Sequence, residues 1–300
     1  DYIFNESVKT NAPIYKIPNN YRLLKSSFIV LINKIRFLSK YFKTDLWNVG
    51  YIQKELSQID LKRLDLEKIS WLNQDKNKYF LADPFPITVD KKNIIFAEKY
   101  EYLKAKGDII LVSLDSVNQE ALSFSTKYHY SYPFTIKKDD KIYQIKESYH
   151  ENEISLYSLM SLPDKWHKES VLINNFKGID SMLFEFNDKW WLFTTEKGNG
   201  HSYKLFIFYS DDLLDENWSP HANNPVKMNI RSGRCAGNIM KIKNQYYRPA
   251  QNYSITHEGS ITVNRIVKLT ETEYKEEEDF EIKPLKNSYY NTKIHTISSS

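Results

Sequence analysis

A pattern of alternating apolar and polar residues, interrupted by short polar turns, recurs four times along the chain. Each unit opens with a short segment whose second position is Asp83, Tyr132, Asp180 or Ala236, so that these positions are 49, 48 and 56 residues apart. A polar turn follows each of them seven residues later, at 90–93, 139–141, 187–189 and 243–245. Such self-similarity indicates a repeated structural unit.

Two further strand-like runs complete each unit. The second runs lie at 94–96, 142–145, 190–193 and 246–247, and the third runs lie at 108–114, 153–159, 203–209 and 260–267. Strand, turn, strand, loop and strand at a period near 50 residues is typical of a propeller blade. An ordinary antiparallel meander is the alternative, but it would not keep one register through four units. The pattern therefore predicts an all-β propeller.

Both ends of the chain carry strand-like pieces outside these four units. Residues 47–52 and 293–297 alternate in the same way. We expect the two pieces to share a fifth blade, because joining the ends closes the ring and removes exposed edge strands. The prediction is a five-bladed β-propeller over residues 46–300.

Residues 1–45 form a separate N-terminal segment with a helical period. Its apolar residues at this spacing are Leu24, Phe28, Leu31, Ile35, Leu38 and Phe42, and its basic residues are Lys25, Lys34, Arg36, Lys40 and Lys43. The spacing predicts an amphipathic helix over residues 22–43. It either packs on the propeller flank or makes peripheral contact with an anionic membrane surface.

The repeat gathers polar side chains at one rim of the predicted channel, which we call the mouth. In a blade, the start of the first strand and the end of the second meet at the same rim. These positions are 15 residues apart in every unit, pairing Asp83 with Glu98, Tyr132 with Glu147, Asp180 with Thr195, and Ala236 with Gln251. The flanking residues His129, Arg234, Arg248 and His295 are expected to join them. Clustered acids push their pKa values apart, which permits acid–base chemistry, although any single acid can be a surface turn residue.

Composition narrows the choice of function. The chain of 300 residues is 41% hydrophobic and 15% aromatic, which is typical of a folded protein rich in strands and suits surfaces that stack on sugars. Its net charge of +4 is spread along the length, so we expect no nucleic-acid partner. The single cysteine, Cys235, excludes an internal disulfide and is compatible with a cytoplasmic location. No run of about 18 apolar residues is present, so no membrane-spanning helix is expected.

The sequence also lacks the signatures of common cofactor sites. It has no glycine-rich phosphate loop, no dinucleotide fingerprint and no Gly-x-Ser-x-Gly elbow, so we expect no organic cofactor. The seven histidines show no spacing typical of zinc sites. Carboxylates at the mouth leave a divalent cation such as calcium open.

The motifs resemble a known group of carbohydrate-active proteins. The segments 82–85 and 179–184 look like those of the five-bladed propeller of glycoside hydrolase family 43 and its furanosidase and invertase relatives. The ordered series Ala-Asp-Pro-Phe, Tyr-His-Tyr-Ser-Tyr-Pro-Phe, Asp-Ser-Met-Leu-Phe, Trp-Trp-Leu-Phe, Arg-Cys-Ala-Gly-Asn, Arg-Pro-Ala-Gln-Asn and His-Thr is closer to one relative. It resembles the N-terminal domain of plant glucosamine inositolphosphorylceramide transferases and its bacterial counterparts, over roughly residues 45–297.

This resemblance implies catalytic roles. The hydrolase base corresponds to Asp83, and the Asp that orients the acid corresponds to Asp180. The hydrolase general acid is a Glu before Gly, where this chain has Ala236. Either Glu147 or Glu98 then replaces it, or the leaving group is a phosphate, which needs cationic stabilisation rather than a proton. The nearby arginines suit phosphate, although they can also pair with acids at the rim: Arg231, Arg234 and Arg248.

Three functions follow from these residues. The first is a glycosyltransferase-like enzyme of surface-glycan or glycolipid assembly, with a phosphorylated sugar donor and a glycan or glycolipid acceptor. In it, the expected catalytic residues are Asp83, Asp180 and Glu147, and the expected substrate-binding residues are Glu98, His129, Tyr132, Arg231, Arg234, Arg248, Gln251 and His295. The second is a furanoside hydrolase. The third is a non-catalytic glycan-binding module beside a linked catalytic domain, which the start at Asp1 without Met favours.

Overall fold

The computed structural model describes residues 19–41, 46–115 and 119–300, and side chains are described in these ranges except at 35–41 and 119–120. The chain divides after Asp45 into two units, which are treated separately below.

The described residues of the first unit, 19–41, form helix α1 (Asn20–Tyr41). Asn19 caps it, because its Oδ1 accepts from the backbone N of Arg22 at 2.9 Å. The apolar side chains are exposed: Tyr21 by 73%, Leu24 by 71% and Phe28 by 63%. Residues 42 and 43 of the predicted helix lie outside the described residues. No helix in the described part of the chain is long and apolar enough to cross a membrane.

The second unit begins with a two-stranded ladder and continues into four antiparallel sheets, which we number as blades. The ladder consists of β1 (Gly50–Tyr51) and β2 (Ser70–Trp71). Blade 1 contains β3 (Tyr79–Val89), β4 (Lys92–Glu101), β5 (Lys106–Ser113) and β6 (Gln119–Phe124). Blade 2 contains β7 (Ser131–Lys138), β8 (Lys141–Glu147), β9 (Glu153–Ser161) and β10 (Lys165–Asn174).

The last two blades follow the same order. Blade 3 contains β11 (Gly178–Phe186), β12 (Lys189–Glu196) and β13 (Lys204–Ser210), with the short strands β14 (Ser219–Pro220) and β15 (Lys227–Met228) both paired to β13. Blade 4 contains β16 (Met240–Ile242), β17 (Gln245–Asn252), β18 (Ser260–Leu269) and β19 (Tyr274–Ile282). Short 3₁₀ segments occur at Leu56–Gln58 and Tyr149–Glu151, and a longer one, kinked at Arg63, occurs at Leu61–Leu66.

The four predicted turns between first and second strands are confirmed. Both central residues of each turn have positive φ, as in Asp90 (48°) with Lys91 (64°) and Asn187 (51°) with Asp188 (56°). Two consecutive left-handed residues match the twist of the flanking strands, and Asp and Asn tolerate that conformation better than most residues. The regular turns explain why the repeat could be read from the sequence.

The prediction of five blades is wrong, because the described residues of the second unit form four. Of the two end pieces, Gly50–Tyr51 pairs only with β2, and residues 293–297 form no strand. The C-terminal piece makes single backbone bonds instead: Ile294 N donates to Glu258 O at 3.1 Å, and Ile297 N donates to Ala236 O at 2.8 Å. Because these donors are used on blade 4, the C-terminal segment does not form a further ladder.

The two ends of the propeller still meet through side chains. Trp71 packs against Tyr290 with ring centroids 4.6 Å apart, and the edge of the Trp47 ring meets His295 at 4.7 Å. Asn48 Nδ2 donates to the Tyr290 hydroxyl at 3.1 Å. Aromatic packing thus joins the ends where a fifth blade was expected.

A buried ion pair holds blade 4 together and links it to blade 3. The guanidinium of Arg248 on β17 is fully buried and donates to both carboxylate oxygens of Glu276 on β19, at 2.8 and 2.5 Å. Lys227 on β15 donates to the same carboxylate at 2.6 Å. Arg248 also donates to Ser232 O at 2.5 Å.

We predict that Arg248→Met will lower the free energy of unfolding by about 3–5 kcal/mol, because it leaves the buried Glu276 carboxylate short of a partner. Urea unfolding measures the loss. The matched control is Arg265→Met, whose exposed pair with Glu277 should contribute at most about 1 kcal/mol. Equal losses in the two variants would contradict a dominant role for the buried pair.

Candidate functional site

The backbone at the mouth has an unusual conformation in three blades. Asp83, Tyr132 and Asp180 have φ of 50°, 43° and 48°, in the left-handed region. Each lies at an irregularity in the first strand, just after the register pairs Ala82–Glu98, Ser131–Glu147 and Ile179–Thr195. Such irregularities redirect side chains, and left-handed residues other than glycine cluster at functional sites. The predicted pairing of the two strand positions at one rim is observed in these blades.

Asp83 is held by the C-terminal segment. Its Oδ1 accepts from His295 Nε2 at 2.8 Å and from Thr296 Oγ1 at 2.7 Å. Burial alone would raise the pKa of Asp83, but His295 and the two hydrogen bonds outweigh it and lower the pKa below its ordinary value. Burial likewise opposes the charge on His295, yet Asp83 and Glu258 raise the pKa of His295 to about 9. The two residues therefore form an ion pair at neutral pH.

Asp180 is held by blade 4. Its Oδ2 accepts from Arg234 Nε and, at 2.7 Å, from Gln251 Nε2. Tyr253 links these two donors, because its hydroxyl accepts from Arg234 Nη1 at 3.0 Å and donates to Gln251 Oε1 at 2.6 Å. Asp180, Arg234 and Gln251, all predicted as site residues, are thus brought together.

Glu147 and Glu98 are the two acids whose pKa values are raised. Burial, and then the charge of Asp180, raise the pKa of Glu147 to about 8. Its Oε2 accepts from the backbone N of Asp180 at 2.9 Å. Burial, followed by the charges of Asp83 and Glu147, raises the pKa of Glu98 well above its ordinary value. The protonated form is therefore favoured in both side chains, whereas the carboxylate form is favoured in Asp83.

His129 and Tyr132 lie beside these acids. His129 Nδ1 accepts from Gly107 N at 2.8 Å, so its proton is on Nε2, which lies 3.7 Å from Glu98 Oε1. Burial lowers the pKa of His129. The buried Tyr132 hydroxyl accepts from Gly237 N at 2.6 Å. Tyr132 therefore fixes the start of blade 4 from blade 2.

Two of the predicted arginines are not brought to this cluster. Arg248 is fully buried inside blade 4, and its hydrogen bonds go to Glu276, Ser232 and the Cys235 sulfur. Arg231 is exposed and its Nε lies 3.3 Å from Glu278 on β19. Their expected role in substrate binding has no geometric basis here, because carboxylates outside the mouth neutralise both guanidinium groups.

Three residues of the site were missed by sequence reasoning: Glu258, Tyr253 and Thr296. Glu258 lies in the loop between β17 and β18, next to His257 at 3.3 Å. Burial opposes its charge, but His295 and His257 lower the pKa of Glu258 to about 2. The repeat could have indicated Glu258, because the loop that joins the second and third strands of a blade lies at the mouth, and Glu258 is in that loop of blade 4.

The position of the expected hydrolase acid is covered by protein. Ile297 N donates to the carbonyl of Ala236 at 2.8 Å. Gly237 has φ of 124°, and a Cβ placed there would lie 1.6 Å from Ile297 O. The C-terminal segment therefore occupies the space beside Ala236. Within the described ranges, no three or more His, Cys, Asp and Glu side chains are grouped to hold a metal ion.

Comparison with known families supports a carbohydrate-related identity. Residues 67–297, which include every mouth residue described above, match the family model "Glucosamine inositolphosphorylceramide transferase 1, N-terminal". A protein of that name from Oryza sativa subsp. japonica is 34% identical over 206 residues, covering 66% of this chain and 27% of the relative. The Arabidopsis thaliana protein is 27% identical over 223 residues, covering 70% and 28%. The chain thus spans little more than a quarter of these plant relatives, and they do not support the expected bacterial counterparts.

Solved structures with a similar fold include glycoside hydrolases. A family 117 glycoside hydrolase from Zobellia galactanivorans superposes with a TM-score of 0.52 at 13% identity, covering 80% of this chain and 77% of the other. An α-L-arabinofuranosidase from Podospora anserina gives a TM-score of 0.52 at 10% identity, covering 76% and 75%. At these identities the likeness shows the fold alone.

We predict that His295 stabilises the fold in a pH-dependent manner. Because its pKa is raised from 6.5 to about 9, the stabilisation is complete below pH 6.5 and is lost as the pH rises through 9. The difference in free energy of unfolding between wild type and His295→Gln should therefore shrink by on the order of 3 kcal/mol across that range. Denaturant unfolding at several pH values measures it.

The control for this experiment is His167→Gln, which changes an exposed histidine on β10. A difference for His295→Gln that does not shrink relative to this control as the pH rises would contradict the ion pair with Asp83.

Proposed function

This chain belongs to the family of glucosamine inositolphosphorylceramide transferase 1 N-terminal domains, and we propose that its mouth binds a sugar and transfers it from a phosphorylated donor in glycolipid or surface-glycan assembly. The name of the relatives and the fold shared with glycoside hydrolases support a carbohydrate-active role. The transfer reaction, the donor and the acceptor are our proposal.

The observation that carries this proposal is the separation of pKa values among the acids at the mouth. Asp83 has a lowered pKa and is ionised, whereas Glu147 has a pKa of about 8 and is protonated at neutral pH. A cluster that holds one carboxylate and one carboxylic acid can accept a proton and donate another in the same reaction.

In the proposed reaction, the acceptor hydroxyl attacks the anomeric carbon of the donor while its proton passes to the Asp83 carboxylate. The bond between the anomeric carbon and the phosphate oxygen breaks, and its electron pair leaves with the phosphate. The two hydrogen bonds that hold Asp83 both go to Oδ1, which orients the carboxylate and leaves Oδ2 toward the acceptor. Protonated Glu147 donates a hydrogen bond or its proton to the departing oxygen.

Asp180 stabilises positive charge that develops on the sugar ring in this reaction. An oxocarbenium-like transition state benefits from a fixed carboxylate close to the ring. Arg234 and Gln251 fix the carboxylate of Asp180 by donating to one of its oxygens. We assign both residues to positioning, since their donors already have partners.

Two other functions are each favoured by one observation. Hydrolysis of a furanoside is favoured by the protonated Glu147, which can act as the general acid that is absent at Ala236. A glycan-binding module is favoured by the small share of the rice relative that this chain matches. The match spans 27% of that relative, so the remainder of the relative is long enough to contain a separate catalytic domain. Free sugar released from aryl glycosides would support the former, and sugar binding without any turnover would support the latter.

We predict that Asp83→Asn will lower kcat for glycosyl transfer by about a hundredfold or more, because the acceptor loses its base. Turnover is measured as phosphate or nucleotide released from sugar phosphates and sugar nucleotides in the presence of glycan acceptors. We expect the wild-type rate to decline above pH 8, where Glu147 loses its proton, and Glu147→Gln should abolish this decline. The control is Asp140→Asn, at a hairpin turn where the side chain is 97% exposed. Full turnover by Asp83→Asn would exclude the proposed mechanism.

We also propose that helix α1 binds an anionic lipid surface. Its exposed apolar residues lie on the same short helix as Arg22, Lys25 and Lys34, and basic groups beside apolar ones fit anionic headgroups above acyl chains. A zwitterionic lipid surface would interact only with the apolar residues of helix α1 and not with its basic residues.

For this helix we predict that the chain will co-sediment with vesicles that contain phosphatidylserine and much less with vesicles of phosphatidylcholine. Added salt should weaken the binding, because it screens the basic residues. Leu24→Ser with Phe28→Ser should abolish binding, and the control Leu103→Ser changes a propeller side chain that is 99% exposed. Equal binding to both kinds of vesicle would contradict the proposal.

A further inference from the structure

The proposed reaction needs a cation for the donor phosphate, and the arginines near the mouth are already neutralised. Arg234 pairs with Asp180, Arg248 with Glu276, and Arg231 with Glu278. A guanidinium that already serves a carboxylate offers little net positive charge to a second anion. The donor phosphate must therefore be recognised by another group.

Lys197 is a cation at the mouth without such a partner. It directly follows Glu196, the last residue of β12, and its backbone N donates to Lys177 O at 2.8 Å. Its side chain is exposed, and no carboxylate lies within ion-pair distance of its Nζ among residues 46–115 and 119–300. Lys197 lies only two positions after Thr195, the mouth position of blade 3.

Aromatic rings of blade 2 lie beside this lysine. Lys197 Nζ is 5.0 Å from the centroid of the Tyr149 ring, and the Tyr149 ring lies 4.1 Å from the exposed ring of His150. Tyr128 stacks on His150 at 5.6 Å with an interplanar angle of 12°. A cation, an imidazole and two phenol rings thus form one continuous surface.

This surface is continuous with the acid cluster through His129. His129 follows Tyr128 in the chain, and its Nε2 lies 3.7 Å from Glu98. Burial is the largest cause of the lowered pKa of His129. Asp83 raises this pKa whereas His150 and Lys197 lower it, so all three residues lie close enough to His129 to act on its charge. The loop after Lys197 also leaves room, because a Cβ added at Gly198 would meet no atom within 4 Å.

We propose that Lys197 and His150, with the Tyr149 ring between them, form the subsite that binds the phosphate of the sugar donor. The ammonium of Lys197 supplies a point charge with three donors, and His150 supplies a further N–H. The phosphate then leaves toward blade 3 while the acceptor approaches Asp83. This subsite rests on the proposed function, because it assigns the phosphate of that donor.

The experiment is a calorimetric titration of the whole chain with inorganic pyrophosphate, which carries the phosphate chemistry without any sugar. Wild type should bind it, and Lys197→Gln should weaken binding by about tenfold or more, as expected for loss of a charge-assisted contact. Lys197→Arg should retain most of the affinity. The matched control is Lys204→Gln at the start of β13, where Nζ already donates to Asn199 O at 3.3 Å.

The outcomes separate this subsite from the proposed reaction. Asp83→Asn should bind pyrophosphate as wild type does, even though it is expected to lose turnover. If wild type does not bind pyrophosphate at millimolar concentration, or if Lys197→Gln binds it unchanged, the subsite is wrong, whatever the turnover assay shows. If the Lys197 variant loses binding while Asp83→Asn keeps full turnover, the subsite stands and the proposed reaction fails.

Discussion

Charge compensation of the buried carboxyl groups at the mouth is the constraint on which the site depends. A buried carboxylate needs a cation or hydrogen-bond donors, or else it takes up a proton. Asp83 is compensated by His295, and Asp180 by Arg234 with Gln251, whereas burial raises the pKa of Glu147 and of Glu98 and so favours their protonated forms. The compensating groups come from different parts of the chain, so the cluster connects blades 1, 2, 3 and 4 and the C-terminal segment.

The C-terminal segment shows how this constraint shapes the fold. His295 and Thr296 reach Asp83 of blade 1, and Ile297 donates to Ala236, which precedes blade 4. The segment that makes these bonds forms no strand beside β1. It thus compensates the charge of Asp83, covers Ala236, where the resemblance to hydrolases implied an acid, and takes the place of the expected fifth blade.

The same compensation determines which chemistry is open to the site. Because Arg234 neutralises Asp180, it is poorly suited to a second anion, whereas Lys197, in the part of the chain that the structure describes, contacts the Tyr149 ring. In the proposed reaction, the base Asp83 and the acid Glu147 lie on separate blades. A sugar held between these two groups would have its phosphate over blade 3 and its acceptor over blade 1.

The sequence by itself determined the repeat, the turns and the positions of the mouth acids, because these depend on local rules. Turns such as Asn187-Asp188 need left-handed residues, and a separation of 15 residues across a hairpin places Asp83 beside Glu98 in any propeller. Only the tertiary structure decided the number of blades, the partners of the arginines and the place of Glu258. The alternation of polar and apolar residues at 293–297 is the same whether the segment pairs as a strand or makes single backbone hydrogen bonds, so the sequence could not distinguish these two cases. Likewise, the pKa of an acid depends on its burial and on charges that are distant in the chain, and the spacing of residues in the sequence predicts neither.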